Sequence, residues 1–125
     1  ASTEVARALA SSVEEVEAAF ARLHKKRLLV PEPGNPSQIR MAPPFSGIET
    51  PFLVKVRDKS YYANCAWDAL GIPAALHSDV VVEASDGHSG DPIKLEVRNG
   101  KPVSQECAIH FAVPAARWWD DIIYT

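Results

Sequence analysis

Apolar residues recur at helical spacing near the start of the chain and at alternating positions farther on. The first pattern predicts two short helices, over residues 3–11 and 12–28. Its buried stripe consists of Val13, Val16, Phe20, Leu23 and Leu28. Ser12 suits the N-cap of the second helix, which has acidic residues in its first turns and basic residues at its far end.

The segment after these helices is extended and rich in proline. We predict a strand at LLV (28–30), a turn at PEPGNP (31–36) and an extended piece at QIRMA (38–42). Two helices followed by a two-stranded wing outline a winged helix without its first helix. We therefore expect residues 1–45 to form a winged-helix-like N-terminal region.

The remainder, residues 46–125, predicts a mostly antiparallel sheet core with short helices, so the fold class is α+β. A linker is expected over 42–51, and Asn99-Gly100 is a strong hairpin signal. Strands are expected at residues 52–56, 60–63, 79–84, 93–98, 102–106 and 108–113. One short helix is predicted over 64–70, stopped by Gly71 and Pro73, and another after Pro114.

Composition limits the possible classes of protein. The 125 residues are 46% hydrophobic and 23% charged, as in an ordinary globular domain with a small appendage. The net charge of -3 gives no general reason to bind nucleic acid or anionic lipid. Without a long apolar run or a signal-peptide pattern, and with two cysteines, we expect reduced thiols in the cytoplasm and no membrane partner. A further C-terminal segment is expected, because a new apolar run begins just before Thr125.

Cys65 and Asp68 form the most informative pair. With Asn64 as the predicted N-cap, Cys65 lies in the first helical turn, where backbone N–H groups favour the thiolate and lower the cysteine pKa. Asp68 shares its helix face and could exchange a proton with the sulfur, although its charge opposes the thiolate. The alternative is a small buried cysteine beside an acid that suits the helix dipole.

Cys107 lies at the entry to the predicted strand 108–113. A disulfide with Cys65, two separate thiols and a shared metal site are all compatible with the sequence. His110 is expected to be a core or edge residue rather than a ligand. The acidic and histidine cluster in SDGHSGD (85–91) favours a solvated turn over a metal site. The three tryptophans are expected to be packing residues, one of them bordering a pocket or an interface: Trp67, Trp118 and Trp119.

Three stretches resemble the alkylmercury (organomercurial) lyase family. YYANCAWDALGIPAAL (61–76) is similar to its core motif, a Cys-x-x-Asp between a tyrosine-containing strand and a Pro-Ala-Leu helix. ECAIHFAVPAARWW (106–119) is similar to its second-cysteine motif, and GDPIKLEV (90–97) to its Gly-x-Pro strand. The family also has a winged-helix-like region before this core.

The resemblance implies an enzyme that cleaves carbon–mercury bonds by protonolysis. Cys65 and Cys107 would be the two thiols that hold mercury as substrate and product, and Asp68 would be the proton-handling acid. The products would be a hydrocarbon and a mercuric ion. No organic cofactor is implied. The implied partners are a small organomercurial substrate and small thiols or an acceptor protein for the mercuric ion.

Two other functions remain as alternatives. A lyase-fold protein could bind a soft metal or a thiol ligand without cleaving a carbon–mercury bond. A winged-helix DNA-binding regulator is disfavoured, because the N-terminal end of its recognition helix would present Glu14, Glu15 and Glu17 to phosphates.

Overall fold

The computed structural model describes residues 1–103 and 108–123. Its three α-helices are α1 (Ser2–Leu9), α2 (Val13–Lys25) and α3 (Ala66–Leu76), and a 3-10 helix covers Ala115–Asp120. The strands are β1 (Val30–Glu32), β2 (Asn35–Ala42), β3 (Phe45–Ser46), β4 (Leu53–Val56), β5 (Lys59–Ala63), β6 (Val80–Ser85), β7 (Pro92–Arg98) and β8 (Lys101–Pro102). The fold is α+β, as predicted.

The eight strands form one sheet in the order β1-β2-β3-β5-β4-β6-β7-β8, and every pairing is antiparallel. Side chains alternate between its faces, as strand geometry requires. On β4, for example, Val54 and Val56 are buried whereas Lys55 points outward and pairs with Glu83 of β6 at 2.7 Å.

The main core lies between one face of this sheet and α3. Val54, Ile72 and Val82 are its largest fully buried side chains. Each contributes about 1.5–3 kcal/mol by leaving water. Because Ile72 lies in the middle of α3, this packing fixes the position of the whole helix against the sheet.

The two N-terminal helices form a second, smaller core. Ser12 caps α2 as predicted: its side chain accepts a hydrogen bond from the Glu15 backbone N–H, and the Glu15 carboxylate accepts one from the Ser12 N–H. Val16 and Phe20 are buried, but the predicted stripe is wrong at its C-terminal end, where Leu23 is 37% exposed and Leu28 59% exposed. The reason is that α2 ends at Lys25 and the next residues turn away, with Arg27 at a φ of 60°.

The N-terminal hairpin is longer than predicted. Strands β1 and β2 extend into the expected proline-rich turn, which shrinks to Pro33-Gly34, with Gly34 at a φ of 74°. The expected linker over 42–51 is partly wrong, because β3 lies inside it and pairs with both β2 and β5. Two helices and a hairpin do occur in the predicted order. The winged-helix assignment and the domain boundary near residue 45 stay predictions.

The predicted stop of α3 at Gly71 and Pro73 is wrong, since both residues lie inside the helix. A β-carbon on Gly71 would come within 3.1 Å of the Pro44 Cβ, so this glycine serves close packing of α3 rather than helix termination. The helix ends at Leu76, followed by His77 in the left-handed region at a φ of 48°.

The C-terminal part differs from the expected strand and helix. The Asn99-Gly100 hairpin is confirmed, with both residues at positive φ, although residues 104–106 of its expected second strand lie outside the described residues. The expected strand over 108–113 is wrong, since these residues are irregular. Phe111 packs instead on Trp118, with ring centroids 5.1 Å apart. The expected helix after Pro114 is the 3-10 helix.

Across residues 1–103 and 108–123, none of the helices has the length and apolar character needed to cross a bilayer.

Candidate active site

Cys65 lies at the junction between β5 and α3. It is itself the N-cap of α3, with extended backbone angles (φ -153°, ψ -179°), and its carbonyl accepts the first helical hydrogen bond, from the Ala69 N–H at 3.0 Å. The prediction that Asn64 is the N-cap is therefore wrong by one residue. As a result, the sulfur lies just before the first helical turn rather than within it.

Burial dominates the electrostatics of the Cys65 thiol. Desolvation is the largest effect and raises its pKa. The backbone N–H of Asp68 lowers the pKa, the negative charge of Asp68 raises it, and the backbone N–H of Trp67 lowers it least. The expectation of a lowered pKa is therefore wrong, because the half-buried sulfur loses more hydration than the helix start restores. At neutral pH Cys65 carries its proton.

The contribution of Asp68 to this raised pKa is testable. In the variant Asp68→Asn the carboxylate charge disappears while the backbone N–H near the sulfur remains, so the pKa of Cys65 is expected to fall. The measurement is the pH dependence of iodoacetamide alkylation in a Cys107→Ser background, which leaves Cys65 as the single thiol. An unchanged or higher pKa would show that Asp68 does not act on the sulfur.

Asp68 is held by the residue that precedes the cysteine. The side-chain nitrogen of Asn64 donates to Asp68 Oδ2 at 2.8 Å and lies 3.3 Å from the carbonyl oxygen of Phe45 on β3. Asp68 is half-buried in the first turn of α3. Sequence reasoning missed this contact, because Asn64 precedes the N-cap of α3 and the helical i, i+4 rule does not cover it.

A cavity of about 540 Å³ is lined in part by Ala66, the residue after Cys65, whereas Cys65 and Asp68 are not among its lining residues. Its size lies in the range of ligand pockets, about 300–1,000 Å³. Much of its wall is apolar and comes from the inner face of the sheet, from α3 and from residue 109: Phe52, Leu70, Val82, Ile93, Leu95 and Ile109. Its polar lining consists of Ser85, Asp86, His88 and His110. The cavity therefore suits a small, largely apolar organic group.

Cys107 lies outside the described residues, so its relation to Cys65 stays a prediction. One feature bears on it: Ala66, which follows Cys65 in the chain, and Ala108, which follows Cys107, both line the cavity. The residue that follows each cysteine in the chain therefore lines the same cavity.

His110 and the 85–91 turn line the cavity, and the turn is stabilised by its own hydrogen bonds. His110 is exposed and lies in the irregular segment, so the expected core or edge position is wrong. Asp86 Oδ1 accepts hydrogen bonds from the backbone N–H groups of Ser89 at 2.7 Å and His88 at 2.8 Å, which lowers the pKa of Asp86. The carboxylate therefore stabilises the turn, as the sequence predicted.

Each of the three tryptophans has a different environment. Trp67 is 60% exposed, so the expectation that it is a packing residue is wrong. Trp118 donates from its indole nitrogen to the carbonyl oxygen of Val113 at 2.8 Å. The ring of Trp119 lies 5.7 Å from the guanidinium of Arg27 and borders a second groove beside the N-terminal hairpin. Trp119 therefore matches the prediction that one tryptophan borders a pocket.

Within the described ranges, no three His, Cys, Asp or Glu side chains group closely enough to hold a metal ion. Cys65 is the free cysteine of these ranges. Thiolate sulfur prefers soft cations, so the described half of the predicted site favours a soft metal over Mg²⁺ or Ca²⁺.

Comparison with known proteins gives one family and one fold. The family model "MerB: Alkylmercury lyase" matches residues 45–125. No curated protein matches the chain. Among solved structures, the mercury-bound form of MerB2 is similar, with a TM-score of 0.63 and 24% identity over 83% of this chain and 50% of that one. At this identity the likeness concerns the fold, and the chain spans about half the length of the MerB2 structure.

Proposed function

The chain belongs to the alkylmercury lyase family, and on that premise we propose that it cleaves carbon–mercury bonds by protonolysis at Cys65 and Asp68. The observation that carries the proposal is the pairing of a protonated thiol with a nearby carboxylate at the start of α3. Cys65 has a raised pKa, and the charge of Asp68 is one of its causes. A thiol that keeps its proton beside a base has a proton to hand over when its sulfur is metallated.

In the first proposed step, the Cys65 sulfur attacks the mercury of an organomercurial R–Hg–SR′, where SR′ is a small thiolate. A sulfur–mercury bond forms, the bond from mercury to SR′ breaks, and the Cys65 proton moves to the Asp68 carboxylate. Soft sulfur favours soft mercury, so this exchange is favourable. Partial burial of Cys65 raises its pKa, so the thiol holds its proton until the sulfur binds mercury.

In the second step, protonated Asp68 delivers its proton to the carbon as a general acid. A carbon–hydrogen bond forms and the carbon–mercury bond breaks, releasing the hydrocarbon RH. Cys107 binds the mercuric ion through its sulfur, and its proton goes to the R′S⁻ released in the first step, which forms R′SH. Two thiol protons thus end in RH and R′SH, and the mercuric ion is held by two thiolates.

The cavity supports this assignment by its chemistry. Its apolar wall, which includes Phe52, Leu70 and Leu95, would hold the organic group R while mercury faces Cys65. Ala66 and Ala108 both line it, which supports joint use of Cys65 and Cys107.

The proposal also specifies the remaining partners. Small thiols or an acceptor protein remove the mercuric ion, and no organic cofactor takes part. Both cysteines must be reduced, for which a reducing compartment such as the cytoplasm is proposed.

The experiment that tests the function is product analysis with phenylmercury or methylmercury and excess small thiol. Wild-type protein is expected to release benzene or methane, measured by headspace gas chromatography, and to form one mercuric ion for each hydrocarbon released. Thiol alone and heat-unfolded protein are the controls.

The alternative of a soft-metal binding protein predicts a different result. Wild-type protein would then bind mercuric ion tightly, measured by competition with a chelating thiol, and release hydrocarbon no faster than thiol alone. That outcome would replace the proposed enzyme with a binding protein of the same fold.

A further inference from the structure

The side chain of Asn64 links the Asp68 carboxylate to the backbone of β3. Its side-chain nitrogen lies within hydrogen-bond distance of Asp68 Oδ2 (2.8 Å) and of the Phe45 carbonyl oxygen (3.3 Å). Both neighbours are acceptors, which fixes the orientation of the amide with its nitrogen toward them. The Asp68 carboxylate is therefore tied through Asn64 to the backbone of β3.

The other atom of the same amide is unpaired. Asn64 Oδ1 is buried and has no hydrogen-bond partner among the described residues. A buried carbonyl oxygen without a partner is unfavourable for folding. An apolar side chain of similar size would avoid this cost, so stability does not by itself explain an amide here. The donor to Asp68 does explain it.

Proton transfer explains why a fixed carboxylate would be useful. A general acid must present its proton in line with the acceptor atom, and small misplacements slow the transfer strongly. A carboxylate free to rotate presents either oxygen in many directions. With Oδ2 engaged by Asn64, the second oxygen of Asp68 is left for the proton.

We propose that Asn64 is a positioning residue that holds Asp68 Oδ2 so that the other carboxylate oxygen receives the Cys65 proton and returns it to carbon. This inference rests on the proposed function of Asp68. Asn64 itself touches neither mercury nor the organic group, so its effect falls on the rate of proton transfer rather than on mercury binding.

The test compares Asn64→Leu with the control Asn35→Leu, since Asn35 is exposed in the N-terminal hairpin, where its side chain accepts a hydrogen bond from the Ser37 N–H at 3.3 Å. Asn64→Leu is expected to lower kcat by about 10–100-fold, as for a misplaced catalytic group, with KM and mercuric-ion affinity unchanged. Asn64→Gln keeps an amide donor and is expected to recover part of the rate. Equal kcat in Asn64→Leu and Asn35→Leu would overturn the inference, as would a parallel loss of mercuric-ion affinity.

A second measurement does not depend on turnover or on the folding of an Asn64 variant. In ¹H–¹⁵N spectra, the side-chain amide of Asn64 is expected to exchange slowly with water in wild-type protein and to exchange faster in Asp68→Ala. Asp58→Ala, in an exposed turn, is the control. No change in Asp68→Ala would overturn the inference. If wild-type protein releases no hydrocarbon, the proposed function fails, and this amide measurement still decides whether Asn64 holds Asp68.

Discussion

Replacing Asp68 with asparagine is expected to slow hydrocarbon release by about 10²–10⁴-fold, the usual contribution of a positioned general acid. Asparagine has nearly the same shape as aspartate and keeps the backbone N–H near Cys65, so the sulfur stays in place. It cannot, however, accept the thiol proton and return it to carbon. Single-turnover release of benzene from phenylmercury, followed by headspace analysis, measures this effect.

The matched control is Asp58→Asn, a change of the same kind in the exposed turn between β4 and β5. It is expected to keep the wild-type rate. Mercuric-ion binding is expected to survive in Asp68→Asn, because the sulfur ligands remain. A rate in Asp68→Asn close to that of Asp58→Asn would show that the carbon receives its proton from another source.

Replacing Cys65 with serine is expected to abolish both mercury capture and hydrocarbon release. The hydroxyl oxygen is a hard ligand and binds mercury poorly compared with sulfur. The fold should not suffer, because Cys65 is the N-cap of α3 and its side chain makes no capping hydrogen bond. Serine is a preferred N-cap, worth about 0.5–2 kcal/mol relative to alanine.

This combination makes the Cys65→Ser result easy to interpret. Thermal unfolding is expected to show a Tm equal to or above that of wild type, while mercury uptake and turnover are lost. The companion variant Cys107→Ser is expected to lose turnover and to bind the mercuric ion more weakly, through one thiol. Full activity in Cys65→Ser would contradict the role of Cys65 as the attacking thiol.

The part of the fold that depends on local signals was predictable from the sequence. The alternation over 52–56 and the Asn99-Gly100 turn both act between residues close in the chain, and both predictions are confirmed. The Ser12 cap belongs to the same class, since its capping box spans four residues. Short-range hydrogen bonding and backbone preference decide such features with little help from the rest of the molecule.

Tertiary contacts overrode local signals elsewhere. Gly71 would ordinarily favour the end of a helix, but its missing side chain allows α3 to pack on Pro44, and the buried Ile72 stabilises the helix around it. Similarly, Phe45 in the expected linker forms a strand, because β2 and β5 lie on either side and offer it hydrogen-bonding partners. Neither contact is visible from the residues nearby in the chain.

The structure brings Cys65 and Asp68 together at the start of α3, as their spacing predicted, whereas Cys107 lies outside the described residues. The direction of the Cys65 pKa shift was predicted wrongly. The sign of the Cys65 pKa shift depends on how deeply the sulfur is buried, which is set by the packing of α3 on the sheet. The cavity also depends on strands β6 and β7, which come after α3 in the chain, so its walls could not be assigned in advance.

Cleavage of the carbon–mercury bond at Cys65 and Asp68 can be followed in a single turnover of phenylmercury in D₂O by wild-type protein, with intact-protein mass spectrometry. The Cys65 thiol proton is exchanged for deuterium before mixing. We expect release of benzene with one deuterium, together with protein that has gained a mercuric ion and no phenyl group. Protein that keeps a phenylmercury adduct and releases no benzene would contradict cleavage at Cys65 and Asp68.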